Sequence, residues 1–277
     1  MPQFEAGQVE GGYAHAPSDS PVPASWPPWL TTLLLRLAGL VVLLACWEGV
    51  AHSGWVDPVL VAAPSEIASV FIDVVTSDIY WSAFRSTLEL LAKGFGIAVI
   101  VGVGLGVLLG RVRIVDRAVG PYMNALYSAP IPVIIPFVTA LLGYRMGSML
   151  FIVAVMGVFD LFANTYQGVR ETDRELQEVG RSFNASELQM WRFIVIPYAL
   201  PYLALGLKLG MARALIGTIL AEFYVSPSGL GYMIIAFGRR FDMARMFVPV
   251  LTFTFLGLIF VGAISYVVNR LEGWRTT

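Results

Sequence analysis

The sequence contains little charge and few residues that carry chemistry. Lys, Arg, Asp and Glu make up 13% of its 277 residues, whereas a soluble domain has roughly 25%. A single cysteine, Cys46, excludes an intrachain disulfide, and two histidines, His15 and His52, leave little for a metal site. Because hydrophobic residues make up 57% of the chain, these proportions indicate an integral membrane protein.

The sequence also lacks the motifs that would give it an activity of its own. It has no GxxxxGK[ST] phosphate loop, so we expect this chain to bind no cofactor and to hydrolyse no ATP. Gly102, Gly106 and Gly110 lie four residues apart inside an apolar run, a spacing that favours close helix packing over nucleotide binding. No lysine or arginine precedes Arg36, which argues against a cleaved signal peptide.

Six apolar runs are long enough to cross a bilayer, which takes about 20 residues. With ragged ends, they cover 29–51, 84–110, 117–142, 148–169, 197–222 and 247–270. The third run contains several prolines, so we expect its helix to be kinked or broken inside a bundle. We interpret residues 1–28, which are proline-rich and have no apolar period, as a disordered tail before a membrane domain over 29–277.

The distribution of arginines predicts the orientation of the chain. If the N-terminus is inside, nine arginines lie in the inner loops and C-terminus and four in the outer loops, as the positive-inside rule favours. Three of those four lie in the 223–246 loop, where SPSGLGYMI predicts a turn and a short helix folded back. Another amphipathic helix is expected at the outer surface, starting at Ala63–Glu66. Both termini are therefore expected in the cytoplasm.

The polar segment between the fourth and fifth runs contains signals for two helix starts. Thr172 and Glu175 have the spacing of a capping box. Ser186 and Gln189 have the same spacing. Asn184, between the two, tolerates the left-handed conformation that commonly ends a helix. The pattern therefore predicts two short helices, joined by a tight turn, that protrude from the membrane domain. An ordinary loop with solvated charges stays an alternative.

We call residues 172–196 the elbow. The predicted first helix covers about 173–183, the turn lies at Asn184, and the second helix covers about 187–195 and ends at Pro197. The first helix has an apolar face, which we expect to pack on the bundle: Leu176, Val179, Gly180 and Phe183. Its charged residues are left for water or a partner: Arg174, Glu175, Glu178 and Arg181.

Within the elbow, Glu178-Val179-Gly180 is followed by Asn184 and then by Ile194–Pro197. This spacing resembles the EAA loop of bacterial ABC importer permeases, roughly E-A-A, three residues, Gly, about nine residues and I-x-L-P. The sequence departs from that pattern at Val179 and Gly180, which replace two alanines, and at Asn184, which replaces the glycine. The resemblance implies that the elbow docks into a groove of a cytoplasmic ATPase.

Other stretches resemble one branch of that family, which includes permeases for nitrate, taurine, alkanesulfonates and thiamine precursors. The resemblance covers about 45–275. The stretches are Trp47-Glu48, Val56–Pro58, Pro64-Ser65, Ala129–Pro132, Leu215–Gly217, Ala221–Phe223 and Ser228–Tyr232. It implies the all-α fold of a type I ABC importer permease, with six transmembrane helices and a cytoplasmic elbow, in the bacterial inner membrane.

The resemblance also implies partners and residue roles. The partners are a second copy of the chain, two copies of a cytoplasmic ATPase that uses ATP and Mg²⁺, and an extracytoplasmic solute-binding protein; no nucleic acid is expected. Phe183 and Trp191 would anchor the elbow to the bundle. The residues expected to couple to the ATPase are Glu175, Glu178, Val179, Gly180, Arg181, Phe183, Asn184 and Ser186.

Several polar residues lie inside the apolar runs. Lys208 and Arg213 each cost roughly 2.5–3.5 kcal/mol at mid-bilayer, so we expect the fifth run to face protein or water. Glu89 and Lys93 have the spacing of an ordinary ion pair along one helix. A translocation pathway and buried structural pairing both stay open for the remaining candidates: Asp160, Asn164, Lys208, Arg213 and Glu222.

The resulting prediction is a permease subunit of an ATP-driven importer. Its cargo would be a small anion such as a sulfonate, taurine or nitrate, or a molecule like a thiamine precursor. A secondary transporter driven by an ion gradient is the main alternative, since it would explain the intramembrane charges but not the capped elbow. A membrane enzyme would need a catalytic constellation that the sequence does not offer, and a channel would show single-channel currents.

Overall fold

The computed structural model describes residues 27–127 and 131–271, and all regular elements in those ranges are helical. The α-helices are α1 (Pro28–His52), α2 (Pro64–Val75), α3 (Asp78–Arg111), α4 (Arg113–Tyr127), α5 (Ile135–Leu142), α6 (Met146–Arg170), α7 (Arg174–Ser182), α8 (Glu187–Met190), α9 (Ile196–Tyr224), α10 (Leu230–Gly238) and α11 (Met243–Leu271). Nearly all of the predicted tail, together with Ala129 and Pro130 of the resemblance, lies outside the described residues. The predicted all-α membrane fold is confirmed.

Within residues 27–127 and 131–271, five helical stretches are long and apolar enough to cross a membrane. They are Trp29–His52, Asp78–Arg111, Met146–Arg170, Glu187–Tyr224 and Met243–Arg270. The third predicted run is broken, as its prolines indicated: α4 and α5 are separate, and a 3₁₀ turn over Ile131–Ile134 precedes α5. Proline supplies no backbone N–H and so interrupts a helix that would otherwise continue.

The chain divides into two units, residues 1–47 and 48–277. In the described part of the first unit, α1 is a single apolar helix. The second unit is a helical bundle in which α6 packs against α3 and α9. Its core is formed by aliphatic and methionine side chains of these helices, such as Leu90, Ile152 and Met211.

Small residues bring α6 close to both neighbours. A Cβ on Gly106 of α3 would lie 2.9 Å from the carbonyl oxygen of Phe162, and one on Gly102 would lie 2.8 Å from that of Val158. On the other side, a Cβ on Gly210 of α9 would lie 3.2 Å from the carbonyl oxygen of Gly157. The packing role predicted for the α3 glycines is therefore confirmed.

The helix predicted to follow Ala63 is also present, as α2. It begins at Pro64, and its apolar face buries Ile67 and Val74. Glu48 holds its first turn, since its carboxylate accepts hydrogen bonds from the Ser65 hydroxyl (2.5 Å) and backbone N–H (3.1 Å). Glu48 and Ser65, which belong to two separate stretches of the family resemblance, thus meet in the fold.

Candidate functional site

The elbow has the shape that its sequence predicts. Helix α7 ends at Ser182, and Asn184 has a φ of 54°, the left-handed conformation expected there. The N–H of Asn184 donates to the Arg181 carbonyl (2.9 Å), and the N–H of Ala185 donates to the Gly180 carbonyl (3.0 Å). These two bonds form a Schellman motif, which satisfies the last carbonyls of α7 and fixes the direction of the turn.

Of the two predicted capping boxes, one is confirmed and one is wrong. The Ser186 hydroxyl accepts from the N–H of Gln189 (3.3 Å), while the Gln189 side chain accepts from the N–H of Ser186 (2.7 Å). At the first helix the cap is Asp173, whose carboxylate accepts from the N–H of Glu175 (2.8 Å). Thr172 is buried and its hydroxyl donates to the Gly168 carbonyl (3.2 Å). That bond joins Thr172 to the end of α6, and the side chain that caps the first turn of α7 is that of Asp173.

We call α7 the first arm of the elbow and the helical segment that begins at Glu187 the second arm. The prediction that the second arm ends at Pro197 is wrong. Helix α8 continues through a π-helical stretch, Trp191–Val195, directly into α9. The N–H of Ile196 donates to the Trp191 carbonyl, five residues back. The wider π turn accommodates Pro197, which has no N–H to donate and would clash in an ordinary α-turn. The second arm is therefore continuous with a membrane helix.

Gly180 is the point at which the two arms of the elbow touch. It is buried, and a Cβ there would lie 2.5 Å from the Met190 sulfur and 2.8 Å from Cδ1 of Ile194. Since a larger residue would separate the arms, this contact accounts for a small residue at the position. The two arms pack as one bent unit.

Trp191 joins the elbow to the end of α3. The Arg111 guanidinium lies over the Trp191 ring, 5.2 Å from its centroid, and donates to the Glu187 carboxylate at 3.2 Å. The anchoring role predicted for Trp191 thus has a concrete contact, although it is made to an arginine. Sequence reasoning missed Arg111 and Glu187 because ion pairs between distant helices leave no local pattern.

The predicted anchor Phe183 is wrong, because its side chain is 82% exposed. Leu176 and Val179, expected to pack on the bundle with it, are exposed as well, and so is Leu188 at the start of the second arm. We call these four side chains the apolar edge. Of the predicted apolar face of α7, Gly180 is therefore the residue that is buried, and the other three are exposed. Glu175, Glu178 and Arg181 are also exposed, and the side chain of Arg174 lies outside the described residues.

A polar contact joins the base of the elbow to α9. The Tyr202 hydroxyl donates to the Glu171 carboxylate (2.8 Å), and the Gln167 amide donates to its other oxygen (3.0 Å). The hydrogen bond from Tyr202, followed by that from Gln167, holds the pKa of Glu171 below its usual range. Glu171 therefore stays ionised between the end of α6 and the beginning of α9.

Three of the intramembrane candidates lie together at the α6–α9 contact. Nε of Arg213 lies 3.5 Å from a carboxylate oxygen of Asp160, with Asp160 buried and Arg213 about half exposed. The Asn164 amide donates to the Asp160 carbonyl (2.8 Å), and Asn164 packs beside Gly206 of α9. The group combines a paired charge, an amide and an open side toward the surface of the chain.

Lys208 is not part of this group. It precedes Arg213 by five residues, which points the two side chains about 140° apart around α9. Over residues 27–127 and 131–271, no acidic side chain forms an ion pair with it, and it is half buried. The expected pair at Glu89 and Lys93 is confirmed and links neighbouring turns of α3.

Glu222 is enclosed by a hydrogen-bonded network. One carboxylate oxygen accepts from the Thr87 hydroxyl (2.7 Å), and the other accepts from the N–H of Gly231 (2.7 Å). The Thr87 hydroxyl in turn accepts from the N–H of Leu230 (2.9 Å). Since Glu222 is buried beneath the first turn of α10, the geometry favours its structural alternative. Thr87 was missed because it lies 135 residues away in the sequence.

Residues 98–273 match the family described as "Binding-protein-dependent transport system inner membrane component". The formylaminopyrimidine transport permease protein ThiX of Halalkalibacterium halodurans is 27% identical over 85% of this chain and 93% of that protein. The putative aliphatic sulfonates transport permease protein SsuC of Bacillus subtilis is 26% identical over 90% of this chain and 89% of its own. The bicarbonate transport system permease protein CmpB of Synechococcus elongatus is 25% identical, with 90% of each chain covered.

A solved structure has a similar fold. An inward-facing structure of the MetNI methionine ABC transporter aligns with a TM-score of 0.58 over 66% of this chain and 92% of the matched chain. The identity is 18%, so this likeness shows the fold alone. The family match contains the whole elbow and the Asp160–Arg213 pair.

Proposed function

This chain belongs to the family of binding-protein-dependent transport system inner membrane components, and from that premise we propose that its elbow, residues 172–196, docks on a separate cytoplasmic ATPase. The chain is a multi-pass membrane permease of an ABC importer. In this proposal the partner, and not the permease, holds ATP and Mg²⁺.

The apolar edge is the observation that carries the docking proposal. Leu176, Val179, Phe183 and Leu188 are exposed among the charged and polar side chains of α7 and α8. Leu176, Val179 and Phe183 share one face of α7 by their helical spacing, and an exposed apolar face of this kind commonly marks a protein interface. An aromatic residue such as Phe183 fits the usual anchor of an interface, with Glu175, Glu178 and Arg181 at its polar rim.

The route from the docking site into the membrane supports the same proposal. The second arm is covalently and helically continuous with α9 through the π stretch. The first arm packs on it at Gly180, so a displacement of the apolar edge moves both arms together. Closure of the ATPases would thereby shift α9, which carries Arg213.

We place the translocation pathway along α9, with a second copy of this chain on its far side. One face of α9 leaves Leu205, Leu209 and Ile216 exposed, with Arg213 and Lys208 flanking them. A charged side chain in the middle of a membrane helix is costly when it faces lipid. This cost favours contact of Lys208 and Arg213 with protein or water. Asp160 and Asn164 would line the same pathway, whereas Glu222 is left out because it is buried in a structural network.

The proposed cargo is a small anion, delivered by an extracytoplasmic binding protein. Arg213 is balanced by Asp160, and Lys208 adds a positive charge beyond that pair. Relatives are named for sulfonates, bicarbonate and formylaminopyrimidine, so a sulfonate-like anion or a thiamine-precursor-like molecule fits the same branch. The arginine distribution supports both termini in the cytoplasm of a bacterial cell.

The docking proposal is tested with Phe183→Glu. We expect the ATPase that co-purifies with the wild-type chain to be reduced roughly tenfold or more, because a charge replaces an apolar anchor, and ATP-dependent uptake to fall with it. Trp55→Glu is the matched control, since Trp55 is equally exposed but lies between α1 and α2. Wild-type ATPase recovery and uptake in Phe183→Glu would contradict the proposal.

A second measurement separates this function from an ion-gradient transporter. Membrane vesicles that contain the chain and its ATPase are supplied with substrate and then with an inhibitor of ATP hydrolysis or with a protonophore. We expect uptake to stop with the inhibitor and to continue with the protonophore. The reverse result would favour a secondary transporter.

A further inference from the structure

A cavity of about 750 Å³ lies beside the elbow, between the ends of several helices. Its walls come from α3, α4, the end of α6 and both arms of the elbow. Charged side chains dominate the lining: Arg111, Asp116, Arg117, Arg170, Arg181 and Glu187. Volumes of roughly 300–1,000 Å³ are typical of small-ligand sites, so this space can hold a group of that size.

The charges around the cavity are only partly balanced. Arg111 pairs with Glu187 at 3.2 Å, and Arg170 pairs with Asp116 at 3.0 Å. Within the described parts of the chain, Arg117 of α4 and Arg181 of α7 form no ion pair. A concave site with two unbalanced guanidinium groups concentrates positive potential and attracts an anion.

The arginine side chains of the cavity, and its position at the ends of membrane-length helices, indicate which class of anion it binds. A guanidinium matches phosphate oxygens with paired hydrogen bonds, better than a lysine would. Arg111 and Arg170 are also the last residues of two membrane-length helices, and basic pockets at helix ends are where lipid head groups bind. The same chemistry would serve a phosphate group that arrives from solution.

We propose that this cavity binds a phosphate-bearing anion between Arg117 and Arg181. The two arginines belong to different elements, so the bound anion links α4 to the elbow. Binding therefore restrains the elbow relative to the membrane helices. This site is separate from the α6–α9 charge group and shares only Arg181 with the rim of the proposed docking surface. Anion binding is measured without the ATPase, so it does not depend on the proposed function.

The test uses the full-length chain in phosphatidylcholine nanodiscs. In a lipid experiment, phosphatidylglycerol is added to the nanodisc lipid. In a phosphate experiment, inorganic phosphate is added to the buffer. Retained phosphatidylglycerol is measured by native mass spectrometry, phosphate affinity by calorimetry, and elbow protection by hydrogen exchange. We expect binding in at least one of the two experiments, together with slower hydrogen exchange in residues 174–190. Binding in the lipid experiment alone would identify the anion as a lipid head group, and binding in the phosphate experiment alone would identify it as a soluble anion.

Matched variants decide whether the cavity is responsible. Arg181→Gln and Arg117→Gln should each weaken binding roughly tenfold or more, because each removes charge-assisted hydrogen bonds. Arg192→Gln is the control, since Arg192 is an exposed elbow arginine that does not line the cavity. Thermal unfolding in plain phosphatidylcholine checks that each variant is folded. Absence of binding in both the lipid and the phosphate experiment, or an equal loss of binding in Arg192→Gln, would overturn the proposal.

Discussion

The elbow and helix α10 are both short helical inserts, attached to opposite ends of α9, yet they are stabilised in different ways. Helix α10 buries Leu230 and Met233 and begins on the buried carboxylate of Glu222. The elbow is joined to α3 by the solvent-exposed pair of Glu187 and Arg111, and its apolar edge is exposed. Helix α10 thus finds its packing and hydrogen-bond partners within a single chain, whereas the elbow presents an apolar surface that a partner can cover.

The largest expected contrast is between the two acids that hold these inserts. Glu222→Ala leaves the Thr87 hydroxyl and the backbone N–H of Gly231 without their buried acceptor, so we expect the free energy of unfolding to fall by about 3 kcal/mol or more. Glu187→Ala removes an exposed ion pair and should cost about 0–1 kcal/mol. Denaturant unfolding in nanodiscs measures both. Equal losses would show that the two inserts are held alike.

The next contrast concerns the left-handed residues at the two inserts. Gly229, the cap of α10, has a φ of 101°, and a Cβ there would lie 2.7 Å from Oε2 of Glu222. We expect Gly229→Ala to cost about 3 kcal/mol, from strain and overlap together. Asn184→Ala should cost only about 1 kcal/mol, since the residue is exposed and meets the left-handed penalty alone. Thermal unfolding of the two variants compares them; a larger loss at Asn184 would reverse the contrast.

The smallest expected effect is a pH dependence at the base of the elbow. The Tyr202 hydroxyl lowers the pKa of Glu171, and a carboxyl with a lowered pKa stabilises the folded state above its unfolded pKa, about 4.3. That contribution disappears as the pH falls through the folded pKa. We therefore expect Tyr202→Phe to be slightly less stable than wild type at neutral pH, and the difference to shrink in acid. A difference that grows in acid would be inconsistent with this assignment.

The turn of the elbow could be predicted because its signals are local. Asn184 and the Ser186 capping box act within a few residues of the chain, and both are confirmed. The first cap was placed one residue early because Thr172 and Asp173 are both able to cap, and their bonds in the fold distinguish them: Thr172 bonds to the end of α6, and Asp173 to the first turn of α7. The stop at Pro197 failed because a π turn absorbs that proline.

The destinations of side chains were harder to predict than the elements. Periodicity correctly grouped Leu176, Val179 and Phe183 on one face of α7, but it does not tell whether that face meets the bundle, lipid or a partner. Likewise, Glu222 was recognised as an unusual intramembrane acid, but its partner Thr87 is distant in sequence. Tertiary contacts decide such roles, and a single sequence does not encode them in a local pattern.

In the proposed function, the apolar edge of the elbow contacts a cytoplasmic ATPase. The most direct test places a photo-crosslinking amino acid at position 183 or, as control, at position 55, and irradiates membranes that contain the chain with its co-purifying ATPase. We expect an adduct with the ATPase from position 183 and none from position 55. Absence of that adduct from position 183, with and without nucleotide, would contradict the proposed contact.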